Sequence, residues 1–138
     1  MQKKAFDRLK ELDQGVVILM TACFAANEAD IESFREHADI AATRNIPCIL
    51  INIHCNETTN EHRLCSEERR WGRENGGKTK LVDVDVLRAL RDENVLLDPL
   101  VHLAEGEIKG VIIRQHDLDT SSLSVEETVN QVLESLFC

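Results

Sequence analysis

Two uncharged apolar runs, with a helical pattern between them, constrain the fold of this chain more than any other feature. The first run, VVILMTACF, spans residues 16–24, and the second, CILINI, spans residues 48–53. Between the runs, Asn27 is a favoured helix N-cap, and apolar residues then recur at helical spacing as far as Arg44. Continuous apolar runs of this length are typical of strands buried on both faces, and a strand–helix–strand unit pairs its strands in parallel. The sequence therefore predicts an α/β fold with a parallel sheet.

Further helical patterns and one more strand pattern complete the predicted domain. In chain order we expect a helix over 3–13, a strand over 16–24, a helix over 27–44, a strand over 48–53, a helix over 59–71, a helix over 83–94, a strand over 110–115 and a helix from 124 onwards. Two of these helices begin with a capping box, formed by Thr58 with Glu61 and by Ser124 with Glu127. The expectation is a single domain over residues 1–138, in three layers, with about three parallel strands between helices.

The composition is that of an ordinary globular chain. Of its 138 residues, 43% are hydrophobic and 30% are charged, with a formal net charge of −9. Because nucleic-acid binding requires a basic surface, we expect no nucleic-acid partner. The sequence shows no secretory signal pattern and no apolar run of about 20 residues, so we expect a cytoplasmic location without membrane contact. The five cysteines are an odd number at irregular spacing, and we interpret them as reduced thiols.

Residues 56–82 form a basic segment within this acidic chain and hold the main candidates for a binding site. The basic side chains are Arg63, Arg69, Arg70, Arg73, Lys78 and Lys80. Guanidinium groups suit phosphate oxygens, and the segment directly follows a predicted parallel strand, at the sheet edge where α/β proteins bind ligands. On one continuous helix, Arg63 and Arg70 would share a face. The competing interpretation is a solvated helix whose arginines pair with neighbouring glutamates.

The same segment contains a match to the phosphate-loop pattern GxxxxGK[ST], from Gly72 to Thr79. A phosphate loop connects a buried strand to a helix that begins at the Lys-Ser/Thr pair, so that backbone N–H groups converge on phosphate. Here the residues before Gly72 are charged and helical in pattern, and the next helix begins only at Asp83. We therefore interpret the match as a glycine-rich hinge. A further hypothesis makes Lys78 a true phosphate-loop lysine in a permuted site.

A metal site is another interpretation of this region. Cys55, His62 and Cys65 are metal-ligating residue types that lie within one short stretch. Their spacing matches no common zinc motif, and the stretch offers no obvious fourth ligand. No metal ligand is therefore assigned from the sequence.

The order of these parts resembles a known family. An apolar strand, an amphipathic helix, a second strand and an arginine-rich helix run into GKTKLVDVDVLRAL, and a third strand is followed by HDLDTSSLSVEETVNQVLESL. Over residues 10–137 this order resembles the C-terminal two-thirds of small P-loop kinases, the nucleotide, gluconate and shikimate kinase-like group of P-loop NTPases. The resemblance implies that residues 56–82 are a lid that closes over ATP, with Mg²⁺ as the accompanying metal.

The family's functional residues carry over to seven positions of this sequence. The catalytic positions, where lid arginines stabilise the transferring phosphoryl group, are Arg63, Arg69 and Arg70. The cofactor-binding positions are Arg73 and Lys78 in the lid, with Asp119 and Thr120 near the adenine end. The activity that the resemblance implies is ATP-dependent phosphorylation of a small molecule.

The chain departs from the family in the part that holds phosphate and Mg²⁺. The family's Walker A strand, loop and helix precede everything matched here, and no acid follows the first apolar run until Glu28. We therefore expect a truncated or degenerate kinase-like domain that is inactive alone as a phosphotransferase. The absent strand would leave a sheet edge open, which favours a homo-oligomer. The alternative is a non-enzymatic acidic α/β module that binds a phosphorylated or acidic partner through residues 63–80.

Overall fold

The computed structural model describes residues 2–74, 81–102 and 110–137 of the chain. Within them the elements are α1 (Gln2–Lys10), α2 (Glu28–Arg44), β1 (Cys48–His54), α3 (Glu57–Leu64), α4 (Glu67–Glu74), α5 (Val84–Glu93), α6 (Pro99–His102), β2 (Ile113–Asp119) and α7 (Val125–Phe137). The chain is therefore a mixed α/β protein, as its sequence predicts. None of the described helices has the length and apolar character that crossing a membrane demands.

The sheet of the described residues consists of β1 and β2 in parallel. The amide of Cys48 donates to Ile112 O at 2.9 Å, and the amide of Thr120 donates to His54 O at 2.8 Å. These two bonds fix the register at the beginning and the end of the pairing. The parallel pairing is confirmed, whereas a three-layer core with three strands is not. β2 also begins later than predicted and continues to Asp119, which places this residue at the strand's carboxyl end.

Residues 16–24 correct the prediction of a strand buried on both faces. They belong to no strand in the described structure, and the side chains of Val17 and Leu19 are 81% and 77% exposed. A strand is defined by a ladder of hydrogen bonds to a neighbour, and among the described residues this segment has backbone bonds only at its two ends, at Val16 and at Phe24. The apolar pattern therefore identified a segment of strand-like composition, but not its partner.

The described chain divides into two compact units, and the first consists of Met1–Leu50 and Asn94–Arg114. Its main helix, α2, begins and ends as predicted. The side chain of Asn27 accepts a hydrogen bond from the amide of Asp30 at 2.9 Å, and Asn45 closes the helix in the left-handed conformation with φ of 53°. Asparagine is one of the few residues that adopts this conformation at small cost, and Pro47 prevents the helix from resuming.

The core of the first unit lies between α1, α2 and the aromatic side chain of Phe24. The buried apolar residues of α2 are Phe34, Ala38, Ile40 and Ala41. The ring of Phe24 packs edge-on against Phe34 and His37, with centroid distances of 6.1 and 5.3 Å. Lys10 of α1 pairs with Asp39 of α2 at 2.5 Å. Apolar packing and this ion pair together hold the two helices to each other.

The second unit consists of Ile51–Glu93 and Gln115–Cys138. Its basic segment corrects the prediction of one helix over 59–71, because the chain forms two helices, α3 and α4, with a break at Cys65 and Ser66. The amide of Cys65 still donates to Glu61 O, whereas Ser66 begins a new helix by accepting from the amide of Arg70 at 3.2 Å. Serine is a favoured N-cap, so the sequence restarts the helix at this position.

The break separates residues that the prediction placed together. Arg63 lies on α3 and Arg70 lies on α4, so the two arginines do not share one helix face. The N-cap of α3 is Asn56, two residues before the predicted Thr58, because Asn56 Oδ1 accepts from the amide of Thr59 at 2.8 Å. The predicted capping box of Thr58 and Glu61 is therefore wrong.

Glu61 is instead the centre of an ion-pair cluster between α3 and α5. Its two carboxylate oxygens each accept from Arg88 at 2.9 Å, and Oε1 also accepts from Arg91 at 2.9 Å. Asp83 caps α5 as predicted, accepting from the amide of Asp85 at 2.9 Å. The arginines of α5 thus anchor this helix to the helix that carries Arg63.

The final helix, α7, begins with the predicted capping box. The amide of Ser124 donates to Glu127 Oε2 at 2.8 Å, and the amide of Glu127 donates to Ser124 Oγ at 3.2 Å. The backbone amide and the side chain of Ser124 lower the pKa of the Glu127 carboxyl below its ordinary value, because hydrogen bonds to the carboxylate favour its charged form. The box fixes where α7 starts, directly after the turn that follows β2.

Candidate functional site

A cleft of about 440 Å³ lies in the second unit, beyond the carboxyl ends of β1 and β2. The residues that line this strand-end cleft are Thr58, Thr59, His62, Arg63, Ser121, Ser122, Leu123 and Ser124. One wall is the beginning of α3, and the other is the turn that joins β2 to α7. In open α/β sheets, ligands bind at this edge, so the cleft has the position expected of a binding site.

Arg63 connects the two walls of the strand-end cleft. Its Nη1 donates to Thr120 Oγ1 at 2.9 Å, and its Nη2 donates to the carbonyl oxygens of Thr120 at 2.6 Å and Leu123 at 3.3 Å. A guanidinium has five N–H donors, and these three bonds leave two for a ligand. Arg63 is therefore fixed by the fold and still has hydrogen-bonding capacity towards the cleft.

Thr120 accepts two of these hydrogen bonds and is buried, with only 4% of its surface exposed. The backbone amide and the hydroxyl of Thr120 both donate to the carbonyl oxygen of His54, at 2.8 and 3.0 Å. The end of β2 is thereby tied to the end of β1, and Arg63 is tied to both. Because the buried hydroxyl of Thr120 both donates and accepts a hydrogen bond, it holds the ends of β1 and β2 in one defined conformation.

The turn after β2 is held by Asp119 and Ser121. Asp119 Oδ1 accepts from the Ser121 hydroxyl at 2.5 Å and from the Ser121 amide at 2.9 Å. These bonds lower the pKa of the Asp119 carboxyl below its ordinary value, and the nearby His54 acts in the same direction. The hydroxyl of Ser121 in turn accepts from the amide of Asn56 at 2.8 Å. The turn and the start of α3 are therefore one connected polar network.

The electrostatics of the strand-end cleft favour an anion. Five of its lining side chains carry hydroxyl groups, two are basic, and none is a carboxylate. The N-termini of α3 and α7 both open onto it, since Thr58, Thr59 and Ser124 belong to the cap or first turn of these helices. Helix N-termini carry partial positive charge, which attracts anions. A phosphate group satisfies this combination of donors.

The structure brings three of the seven predicted site residues together. Arg63, Asp119 and Thr120 meet at the strand-end cleft or directly behind it. Arg69 of α4 instead donates to the carbonyl oxygen of Leu81 at 3.2 Å. Arg70 is exposed on α4 and has no side-chain partner among the described residues.

The remaining two predicted residues lie at the end of the basic segment. Arg73 belongs to α4, which continues to Glu74, and Lys78 lies outside the described residues. The residues directly before Gly72 are helical, as the sequence predicts, so the phosphate-loop match is not preceded by a strand. This is the wrong context for a Walker A loop, which requires a strand at this point.

Sequence reasoning missed several residues that line the strand-end cleft. The missed residues are Thr58, Thr59, His62, Ser122, Leu123 and Ser124. The capping residues of the two helices were the available signal, because caps at Asn56 and Ser124 place two helix N-termini directly after two parallel strands. His62 was considered only as a metal ligand.

The described residues do not fit a metal site. Within residues 2–74, 81–102 and 110–137, no three His, Cys, Asp or Glu side chains are arranged to hold a metal ion. Mg²⁺ prefers carboxylate oxygens, and none of the residues that line the strand-end cleft carries a carboxylate. We therefore assign no residue of this part of the chain to Mg²⁺ and derive no step through it.

Comparison with known proteins does not assign the strand-end cleft. No protein-family model, curated protein or solved structure matches this chain. Its function has to be argued from the positions of the residues in the cleft and from the chemistry of their side chains.

Proposed function

We propose that this chain is a P-loop kinase-like domain whose strand-end cleft binds ATP. One observation carries the proposal: Arg63 of α3 is hydrogen-bonded to the turn that follows β2, at Thr120 and Leu123. These are the two segments that the resemblance to P-loop kinases assigns to the lid and to the adenine end of the nucleotide site. In a nucleotide site of that kind the two segments have to be close together.

The chemistry of the cleft supports a ligand that carries phosphate. The two remaining N–H donors of Arg63, the imidazole of His62 and the hydroxyl of Ser122 are all suited to phosphate oxygens. The cleft volume of about 440 Å³ lies within the range of about 300–1,000 Å³ that is usual for small-molecule sites. The nucleoside part would then lie along Leu123 and the start of α7.

The proposed activity is binding without phosphoryl transfer. Transfer in this family depends on a Walker A strand, loop and helix and on a Mg²⁺ ion. The phosphate-loop match at Gly72–Thr79 follows a helix, and the described residues hold no group of three metal-ligating side chains. ATP-dependent phosphorylation of a small molecule would therefore require a phosphate loop in addition to the groups in the cleft.

Calorimetric titration of the purified chain with ATP tests this proposal. We expect saturable binding that is weakened several-fold by His62→Ala, because this change removes a basic group from the cleft lining. The matched control is Arg8→Ala, which removes an exposed basic group from α1 in the first unit and should leave the affinity unchanged. Absence of ATP binding would contradict the proposal. Binding that is lost on Lys78→Ala and retained in His62→Ala would support a phosphate-loop lysine instead.

A second candidate is a non-enzymatic module that binds a phosphorylated or acidic partner through residues 63–80. The observation that favours it is the position of Arg70, which is exposed on α4 while Arg63 and Arg69 donate to carbonyl groups of the chain. Among the described side chains of this segment, an exposed arginine such as Arg70 suits a recognition surface. If this candidate is correct, Arg70→Ala weakens binding of a phosphorylated peptide, and ATP does not compete with the peptide.

A further inference from the structure

The segment from Val16 to Phe24 is apolar and largely exposed. It contains no helix, turn or bend. Only Ile18 and Phe24 of its nine residues are half-buried, and Val17 and Leu19 are 81% and 77% exposed. The apolar side chains of this extended segment are therefore open to a partner.

The fold holds both ends of this segment in place. At its beginning, the buried Arg44 donates from Nη2 to Val16 O at 2.7 Å, and the amide of Val16 donates to Asp13 O at 3.0 Å. At its end, Phe24 O accepts from the amide of Leu97 at 2.9 Å, next to an antiparallel bridge between Ala25 and Leu96. The fold therefore fixes both ends of the segment before a partner binds, so binding loses less conformational entropy.

Between these fixed ends the backbone is unpaired. Residues 17–23 make no hydrogen bond with any residue that the structure describes. An exposed, uncharged segment with free N–H and C=O groups readily accepts another strand, and backbone hydrogen bonds supply the affinity of such strand addition.

We propose that residues 16–24 pair with the same residues of a second copy of this chain, antiparallel and about a two-fold axis. A second copy supplies an identical unpaired strand, and a two-fold axis lets each strand satisfy the other. The register with the largest overlap places Met20 opposite Met20 and Val16 opposite Phe24. In this register every contact within the paired strands is uncharged.

The charge pattern permits a second copy of this chain and selects this register. Each copy has a net charge of −9, so association fails if carboxylates face each other across the contact. No charged residue lies between Asp13 and Glu28. In the proposed register Asp13 lies opposite Asn27, and Glu28 lies opposite Leu12, so no carboxylate opposes another. Added salt should strengthen the dimer, because it screens the repulsion between the rest of the two acidic copies.

Sedimentation equilibrium of the full chain tests the proposal, with two variants and one control. We expect a monomer–dimer equilibrium that tightens with added NaCl. Leu19→Pro removes a backbone donor and Val17→Lys adds a charge, and each should weaken dimerisation by at least about tenfold. Both positions are highly exposed in the monomer, so circular dichroism should be unchanged. The control, Val101→Lys, changes an apolar residue that is 73% exposed in the same unit and should leave the dimer intact.

Cys23 provides a second readout that needs no substitution. It is an exposed free thiol within the segment, and in the proposed register it lies opposite Val17. Its alkylation should become slower as the protein concentration rises through the dimerisation range. A chain that stays monomeric, dimers that are as strong in Leu19→Pro as in the wild type, or equal weakening by Val101→Lys would each overturn the proposal. A Cys23 alkylation rate that does not depend on protein concentration would also overturn it.

Discussion

Arg63 lies where α3, the end of β1 and the turn after β2 meet. Its guanidinium bonds to Thr120 and Leu123, and Thr120 bonds in turn to His54. Because Thr120 is buried, loss of the arginine would leave its carbonyl and hydroxyl without one of their partners. Unsatisfied buried polar groups are costly, so Arg63 supports the fold of the second unit in addition to any role in binding.

The stability of two arginine variants should separate these roles. Arg63→Ala should lower the free energy of unfolding by about 1–3 kcal/mol, because three hydrogen bonds to the turn are lost. Arg70→Ala is the matched control on α4, and it should change stability by less than about 0.5 kcal/mol. Urea denaturation followed by circular dichroism measures both. Equal stability of the two variants would show that Arg63 is not a structural clamp.

The contacts of Arg63 could not be predicted from the sequence. Arg63 and Thr120 are separated by 57 residues, so no local pattern indicates that they meet. The resemblance to P-loop kinases gave both residues a place in one nucleotide site, which is compatible with the observed contact. It did not indicate that the arginine is held by carbonyl groups of the chain.

At the scale of the element, the caps of α2 determine where this helix begins and ends. Asn27 caps its first turn through the amide of Asp30, and Asn45 ends it with φ of 53°. The cap at Asn27 and the end of the helix at Arg44 were both predicted, because a helix end depends only on residues within about four positions of it. The same locality explains the correct predictions at Asp83 and Ser124.

Substitutions at the two caps of α2 should have different effects. Asn27→Ala should destabilise the chain by about 1 kcal/mol, because the amide of Asp30 loses its acceptor. Asn45→Gly should change stability by less than about 0.5 kcal/mol, since glycine adopts positive φ freely, whereas Asn45→Ala should cost about 1 kcal/mol. Thermal and urea unfolding measure the three variants. A larger loss for Asn45→Gly than for Asn45→Ala would contradict the left-handed cap.

The cluster of Glu61, Arg88 and Arg91 joins α3 to α5 and should make stability depend on pH. The hydrogen bond from Arg88 is the main reason that the pKa of Glu61 lies below its ordinary value of 4.5, and Arg91 adds to it. Because the pKa is lower in the folded state, the carboxylate stabilises the fold above pH 4.5, and this contribution disappears as the pH falls through the folded pKa.

Glu61→Gln should therefore lower the urea midpoint at pH 7, and its difference from the wild type should shrink as the pH falls below 4.5. The matched control is Glu93→Gln on α5, which removes an exposed carboxylate that has no ion pair with a described residue. Its midpoint should follow the wild type across the whole pH range. A difference between Glu61→Gln and the wild type that stays constant with pH would contradict the role of the ionised carboxylate.

The division of the basic segment into α3 and α4 shows where local patterns are ambiguous. Thr58 with Glu61 fits a capping box, but Asn56 precedes them and takes the N-cap position. Ser66 is an N-cap inside a stretch that otherwise has helical composition. Asn56 and Thr58 obey the same local rule, and the pairing of Glu61 with Arg88 and Arg91 of α5 occupies the carboxylate that a Thr58 capping box would need.

At the scale of the whole molecule, the α/β class with parallel strands follows from the apolar runs, while the sheet's size does not. β1 and the shifted β2 correspond to two of the predicted strands. The run over 16–24 has the composition of a strand, but forming one requires a neighbour, which no local pattern provides. The strand-end cleft was predictable as a location, because ligands bind beyond the carboxyl ends of parallel strands. The hydroxyl groups and the histidine that line the cleft were not predictable, since their positions depend on the conformations of the turns.

The central claim is that ATP binds in the strand-end cleft, and NMR mapping tests it most directly. Two-dimensional ¹H–¹⁵N spectra of the full chain, recorded during an ATP titration, report which backbone amides sense the ligand. We predict saturable shifts concentrated in Glu57–Arg63 and Asp119–Ser124, with much smaller changes along α2. A spectrum without shifts, or shifts concentrated at Gly77–Thr79 while the cleft amides stay unchanged, would contradict the claim.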